Sequence, residues 1–181
     1  MEYQHTISKE VAISGVGLHT NERVNLKIKP AGENHGIVFK RVDIANSVLI
    51  PAHISCVLEL TKSLRRTSVG VDGIEVHTIE HLMASFAASR IDNLLIEIDG
   101  IEVPGLDGSA SPFLEMLKES GIVQQSARRK VFQLKEPILV EDEEASLMAF
   151  PSDNLNISYL LNYDHPQLKA QYVSYMLGQD T

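Results

Sequence analysis

Val24, Leu26 and Ile28 alternate with Asn25, Lys27 and Lys29, and Pro30 closes the run. A period of two sends alternate side chains to opposite faces, so this segment predicts a half-buried strand. Residues 37–39 and 48–50 predict two further short strands. Asp72-Gly73 lies between Ser68-Val69 and residues 74–76, and an Asp-Gly pair between strand formers predicts a tight hairpin. The period then changes. Ile79, Leu82, Met83 and Phe86 fall at i, i+3, i+4 and i+7, the spacing of an amphipathic helix, here over residues 79–89, with Thr78 as its N-cap. Residues 94–98 predict a buried strand ended by Asp99-Gly100. A second helix is predicted from Ser111-Pro112 to Gly121, with Ser as cap, Pro at the first helical position and Phe113, Leu114 and Leu117 as its apolar face.

Residues 124–130 are polar and without period, and predict a linker. The strand pattern restarts at residues 131–134, 138–140, 147–150 and 155–161, with the acidic run 141–144 and the cluster 151–154 as turns. These segments divide the chain into a first α+β domain, residues 1–126, and the start of a second, residues 127–181. No helix is predicted to cover the second sheet, and a sheet without a covering layer cannot bury its apolar face. The second domain is therefore expected to be truncated.

Composition narrows the possibilities. The 181 residues are 44% hydrophobic, enough for a sizeable core, and contain no apolar run near the ~18–20 residues of a membrane span. Residues 1–5 lack the basic start of a signal peptide, so a cytoplasmic location is expected. Cys56 stands alone, which excludes an intrachain disulfide and a Cys-based zinc cluster. The net charge of −8 argues against a nucleic-acid surface.

The candidate chemistry centres on His77-Thr78-Ile79-Glu80-His81-Leu82-Met83. A carboxylate and an imidazole stand side by side in the first turn of a helix, where the dipole favours the anion and disfavours the imidazolium. Hydrolytic metal sites use both groups, one to take a proton from water and one to hold a cation. Neighbouring residues diverge by about 100° around a helix. The same pair also reads as an N-terminal charge beside a partly buried polar residue. The spacing lacks the second imidazole of His-Glu-x-x-His, because positions 84 and 85 are Ala and Ser. Two further segments are candidates. Gly15-Val16-Gly17-Leu18-His19-Thr20 permits close backbone approach, and Asp107-Gly108-Ser109 is a turn that can hold an acid beside a site.

Taken in order, Gly15–Thr20, Thr78-Ile79-Glu80-His81-Leu82, Ile91-Asp92-Asn93 and Pro104-Gly105-Leu106-Asp107-Gly108-Ser109-Ala110-Ser111-Pro112-Phe113 resemble the zinc-dependent UDP-3-O-acyl-N-acetylglucosamine deacetylases of lipid A biosynthesis. Residues 33–36 and 40–43 resemble the Bacteroidetes-type members, which are often fused to a 3-hydroxyacyl-[acyl-carrier-protein] dehydratase. The resemblance implies two similar α+β domains, each a sheet against helices in a two-layer sandwich, with the active site between them. It implies Glu80 as general base and His81 as a Zn2+ ligand, acting on the acetamide of the UDP-linked acyl-glucosamine to release acetate. It also implies that the remaining ligands, a His and an Asp one helical turn apart, lie beyond Thr181, so the isolated chain is expected to be inactive. Two departures stand out: Asn21 replaces the usual Gly after Leu-His-Thr, and residues 62–67 differ from the family form. His5, His19, His35, His53, His77 and His165 have no spacing that suggests replacement ligands. The alternative is a non-catalytic remnant of the same fold that binds a partner.

Overall fold

The computed structural model describes residues 2–59, 65–143 and 145–176. Residues 62–64 of the departing 62–67 segment, and Glu144 of the acidic run, lie outside the described residues. The chain separates into two compact units, residues 1–129 and 130–181. No described helix is long and apolar enough to cross a membrane.

The fold is α+β, with two α-helices among many strands in the described residues. In the first unit, β1 (Tyr3–Ile7), β2 (Val11–Val16), β3 (Arg23–Pro30), β4 (Ile37–Arg41), β5 (Leu49–Pro51), β6 (Val69–Val71) and β7 (Ile74–Val76) precede α1 (Glu80–Ala88). They are followed by β8 (Leu94–Ile98), α2 (Ser111–Ser120) and β9 (Ile122–Arg128). The main sheet has the order β2-β3-β8-β4-β5, antiparallel except where β4 runs parallel to β8.

The alternation in β3 works as the sequence indicates. Val24, Leu26 and Ile28 are buried while Asn25 and Lys27 face solvent. Leu94, Ile96 and Ile98 of β8 extend the same apolar face, and Lys29 pairs with Glu97 on the other at 2.7 Å. The buried face joins Leu82 and Phe86 of α1 and Phe113 and Leu117 of α2 in one core. A nine-residue helix does not persist alone in water, so α1 exists because this face is buried. The hairpin β6–β7 turns at Asp72 and Gly73, both at positive φ, as an Asp-Gly turn requires.

Several expectations are corrected. Thr78 does not cap α1: Ile79 occupies the cap position without a side-chain bond, and Thr78 sits at φ 56 with its hydroxyl turned elsewhere. Ser111 is the first residue of α2 rather than its cap. Its N–H donates to the Ser109 hydroxyl, which itself donates to Asp107. Residues 124–130 are not a linker. Most of them form β9, antiparallel to β1, with Tyr3 opposite Arg128 and Ile7 opposite Ile122. Strands β1 and β2, at residues 3–7 and 11–16, are not evident from periodicity.

Among its described residues the second unit holds two antiparallel hairpins, β10 (Ile138–Glu141) with β11 (Ser146–Ala149) and β12 (Asn156–Leu161) with β13 (Gln171–Met176). Residues 131–134 are not a strand, and Phe132 is fully exposed.

Candidate active site

Three loops at one end of the first unit surround a cleft of about 410 Å³. Val16, Gly17, Leu18 and Asn21 come from the β2–β3 connection, Thr78 and His81 from the entry to α1, and residues 105–108 from the segment before α2. These are the three segments that the sequence singles out separately, now brought together.

Each loop is fixed by its backbone. The β2–β3 turn closes through Gly17 N–H to Glu22 C=O at 2.9 Å and Asn21 N–H to Gly17 C=O at 3.0 Å. Asn21 adopts φ 56, a conformation Asn tolerates better than other side chains, so it can stand where a Gly would. The third loop is pinned to the first by Gly105 N–H to Val16 C=O at 2.9 Å. The contact is close enough that a Cβ on Gly15 would lie 2.8 Å from that of Pro104. The second loop is pinned to the third by His77 N–H to Ile101 C=O at 2.8 Å and Val103 N–H to His77 C=O at 3.1 Å.

His81 lines the cleft, whereas its neighbour Glu80 does not and lies to one side, as the turn of a helix dictates. One Glu80 oxygen, Oε2, accepts the Thr67 N–H at 3.0 Å, and the Thr67 carbonyl accepts the Ile79 N–H at 3.2 Å. Oε1 has no hydrogen bond among the described residues. Asp107 also lines the cleft. Its carboxyl is held below the usual range, first by the Ser109 N–H, next by the Ser109 hydroxyl, with a smaller share from His81.

Two buried groups behind the cleft complete the arrangement. His77 places Nδ1 2.7 Å from the Ser68 hydroxyl and Nε2 3.4 Å from Glu75. Burial, and after it the Arg66 charge, depress its pKa against the pull of Glu75 and Glu102. It is a buried imidazole, away from the cleft lining. Glu102 is 2% exposed and accepts hydrogen bonds from Thr78, Thr20 and His19. Burial pushes its pKa up, but the bonds from Thr78 and Thr20 outweigh that and leave it below the ordinary value. Sequence reasoning missed Glu102. The available signal was one acid inside the apolar run Ile101-Glu102-Val103-Pro104.

Among the described residues, no group of three or more His, Cys, Asp or Glu side chains is placed to hold a metal ion.

The sequence matches the model of the LpxC family, UDP-3-O-acyl N-acetylglycosamine deacetylase, over residues 4–181. A UDP-3-O-acyl-N-acetylglucosamine deacetylase of Saccharophagus degradans is 40% identical over 168 residues, 93% of this chain and 54% of that protein. Its counterpart from Syntrophotalea carbinolica is 40% identical over 181 residues, 100% of this chain and 58% of that protein. That of Myxococcus xanthus is 39% identical over 168 residues, 93% of this chain and 52% of that protein. The chain spans about half the length of the curated relatives it matches. With the matched motifs gathered around a single cleft, the chain belongs to the UDP-3-O-acyl N-acetylglycosamine deacetylase family.

Proposed function

We propose that this chain supplies the general base Glu80 and the zinc ligand His81 of a cytoplasmic deacetylase that acts in lipid A biosynthesis. The substrate is UDP-3-O-acyl-N-acetylglucosamine, whose acetamide is hydrolysed to the free amine and acetate. The observation that carries this reading is the convergence of the three motif loops on one cleft with His81 in its wall.

The donor set fits zinc in part. A catalytic zinc takes three protein ligands and keeps a fourth position open. His81 suits one of the three, but the described residues do not complete the set. In this proposal the other two come from the part of the relatives' length that this chain does not cover. Residues 127–181 are then the opening strands of a second α+β domain similar to the first. Bound zinc supplies a Lewis acid and lowers the pKa of its water.

One hydrogen bond supports the role given to Glu80. The Thr67 N–H holds Glu80 by one oxygen and leaves the other to accept a proton from the attacking water. The same carboxyl can then return that proton to the leaving amine. Position N1 of α1 suits a group that must be an anion at rest. In the full-length protein, Glu80→Gln should keep zinc and lower turnover by about 10²–10⁴-fold. Unchanged turnover removes Glu80 from the mechanism. The isolated 181-residue chain should lose zinc on dialysis and show no deacetylation. Stoichiometric retained zinc with turnover would mean that the ligands lie within this chain.

A further inference from the structure

The geometry points to Glu102 as a positioning residue, a carboxylate clasp that fixes the Leu18–Thr20 loop to the entry of α1 so that the loop and His81 hold their places across the cleft. The inference rests on reading this cleft as the deacetylase site.

The clasp is visible atom by atom. Oε1 accepts the Thr78 hydroxyl at 2.7 Å. Oε2 accepts the Thr20 N–H at 2.8 Å and the Thr20 hydroxyl at 2.9 Å. The His19 N–H is shared between the two oxygens at 3.1 Å each. Both loops therefore end on one buried carboxylate. Among the described residues no Lys, Arg or His forms an ion pair with Glu102. Its role is to accept N–H and O–H groups, and a carboxylate does this more strongly than a neutral acceptor.

Both loops need such a clasp. Leu18 is 70% exposed, so the Leu18–Thr20 turn has no apolar anchor of its own. Thr78 is β-branched and held at φ 56, where its side chain is crowded; such conformations persist only where surrounding contacts impose them. Its hydroxyl bond to Glu102 is one such contact. Thr78 lies two residues before Glu80 and three before His81, so its backbone sets where α1 begins. Gly17 leaves the space that the clasp fills: a Cβ there would lie 2.5 Å from Glu102 Oε2. Glu102 is itself carried on the segment that bridges both loops, pairing His77 with Glu102 and Gly17 with Pro104.

The test uses the full-length protein containing this chain. Glu102→Leu removes both acceptors at similar volume. Glu102→Gln retains one oxygen for the two backbone donors, and the Thr78 hydroxyl can turn to accept from the new amide. Thr20→Val removes one hydroxyl without changing shape, and Thr20→Ser restores it. A displacement of about 1 Å costs on the order of 10²-fold in rate. Accordingly kcat per folded molecule should fall about 10²-fold in E102L, about tenfold or less in E102Q and about tenfold in T20V, with KM nearly unchanged and T20S close to wild type. In E102L the amide protons of His19 and Thr20 should shift upfield and exchange faster with solvent. Folded E102L or T20V with wild-type kcat overturns the proposal, as does T20S impaired like T20V, or unshifted amides in E102L. If E102L does not fold, E102Q and the Thr20 pair decide. If the wild type shows no deacetylation, the functional reading fails, and the amide measurement still decides whether the clasp exists.

Discussion

Replacing Asn93 by Asp changes one NH₂ group to an oxygen, yet the surroundings make this isosteric swap severe. The Asn93 side chain is 1% exposed. Its Nδ2 donates to Gln4 Oε1 at 2.8 Å and to Gln125 Oε1 at 2.7 Å, while its Oδ1 accepts the Gly36 N–H at 2.8 Å. Neither glutamine can flip to meet a carboxylate. Gln4 Nε2 is committed to Asn34 Oδ1 and Arg128 C=O, and its Oε1 also accepts the Asn34 N–H. Gln125 Nε2 is committed to Ala31 C=O at 2.9 Å. The introduced carboxylate would therefore present an anion to two carbonyl oxygens in a buried site. Two lost hydrogen bonds cost about 1 kcal/mol each, and the buried unpaired charge adds several more, for a total of roughly 3–6 kcal/mol near neutral pH. That is comparable to the whole stability of a small domain, typically about 5–15 kcal/mol. Burial and the facing oxygens raise the pKa of the new carboxyl above its unfolded value of about 3.9. For a raised carboxyl the lost stability returns as pH falls through the folded pKa, because the protonated acid can donate once. Urea unfolding of wild type and N93D, compared at about pH 7.5 and about pH 5 with m-values checked for equality, measures this. A deficit under about 1 kcal/mol at the higher pH, or an equal deficit at both, refutes the argument.

Two further outcomes follow from the burial. Phe86→Ala should lower stability by about 3–5 kcal/mol in urea titrations, because Phe86 is 1% exposed and anchors a helix too short to stand alone; a loss under about 1 kcal/mol would mean that α1 is held otherwise. Acid sensitivity should come in two steps, since the folded pKa of His77 lies below its ordinary 6.5 and that of Glu102 below its ordinary 4.5. In both, the unfolded chain binds the proton more readily, so stability is full above the ordinary value and is lost as pH falls toward the folded one. His77→Asn should flatten the slope of unfolding free energy just below about pH 6.5, and Glu102→Gln should flatten it below about pH 4.5. Unaltered slopes in both variants would contradict the assignments.

What could be read from the sequence was local. Strand β3, the Asp72-Gly73 turn and α1 each show a period or a turn pair within ten residues. The β1–β9 pair does not, because its partners are more than a hundred residues apart and β9 is mostly exposed. Besides Ile7 in the core, what holds it is polar: Asn93 to Gln4 and Gln125, and Asp92 to the His5 N–H and to Arg129. A segment rich in Gln, Ser and Arg reads as linker unless those partners are known. The same reason hid Thr78. Its type suggests an N-cap, but the buried Glu102 competes for the hydroxyl and wins with a charged acceptor. The helix-start pattern singles out His81 as a candidate; the cleft it lines took shape only when three distant turns met.

The pairing of the first strand with the last of its unit also has a temporal side. A chain made from its N-terminus at about 5–20 residues per second exposes β1 early and β9 only after some 6–25 s, because Tyr3 waits for Arg128 and Ile7 for Ile122. Through that interval Ile7, 1% exposed in the finished fold, lacks the strand it pairs with. Closing so long a loop is slow for the same entropic reason. The nascent chain thus carries an open strand edge at β1 until β9 is made.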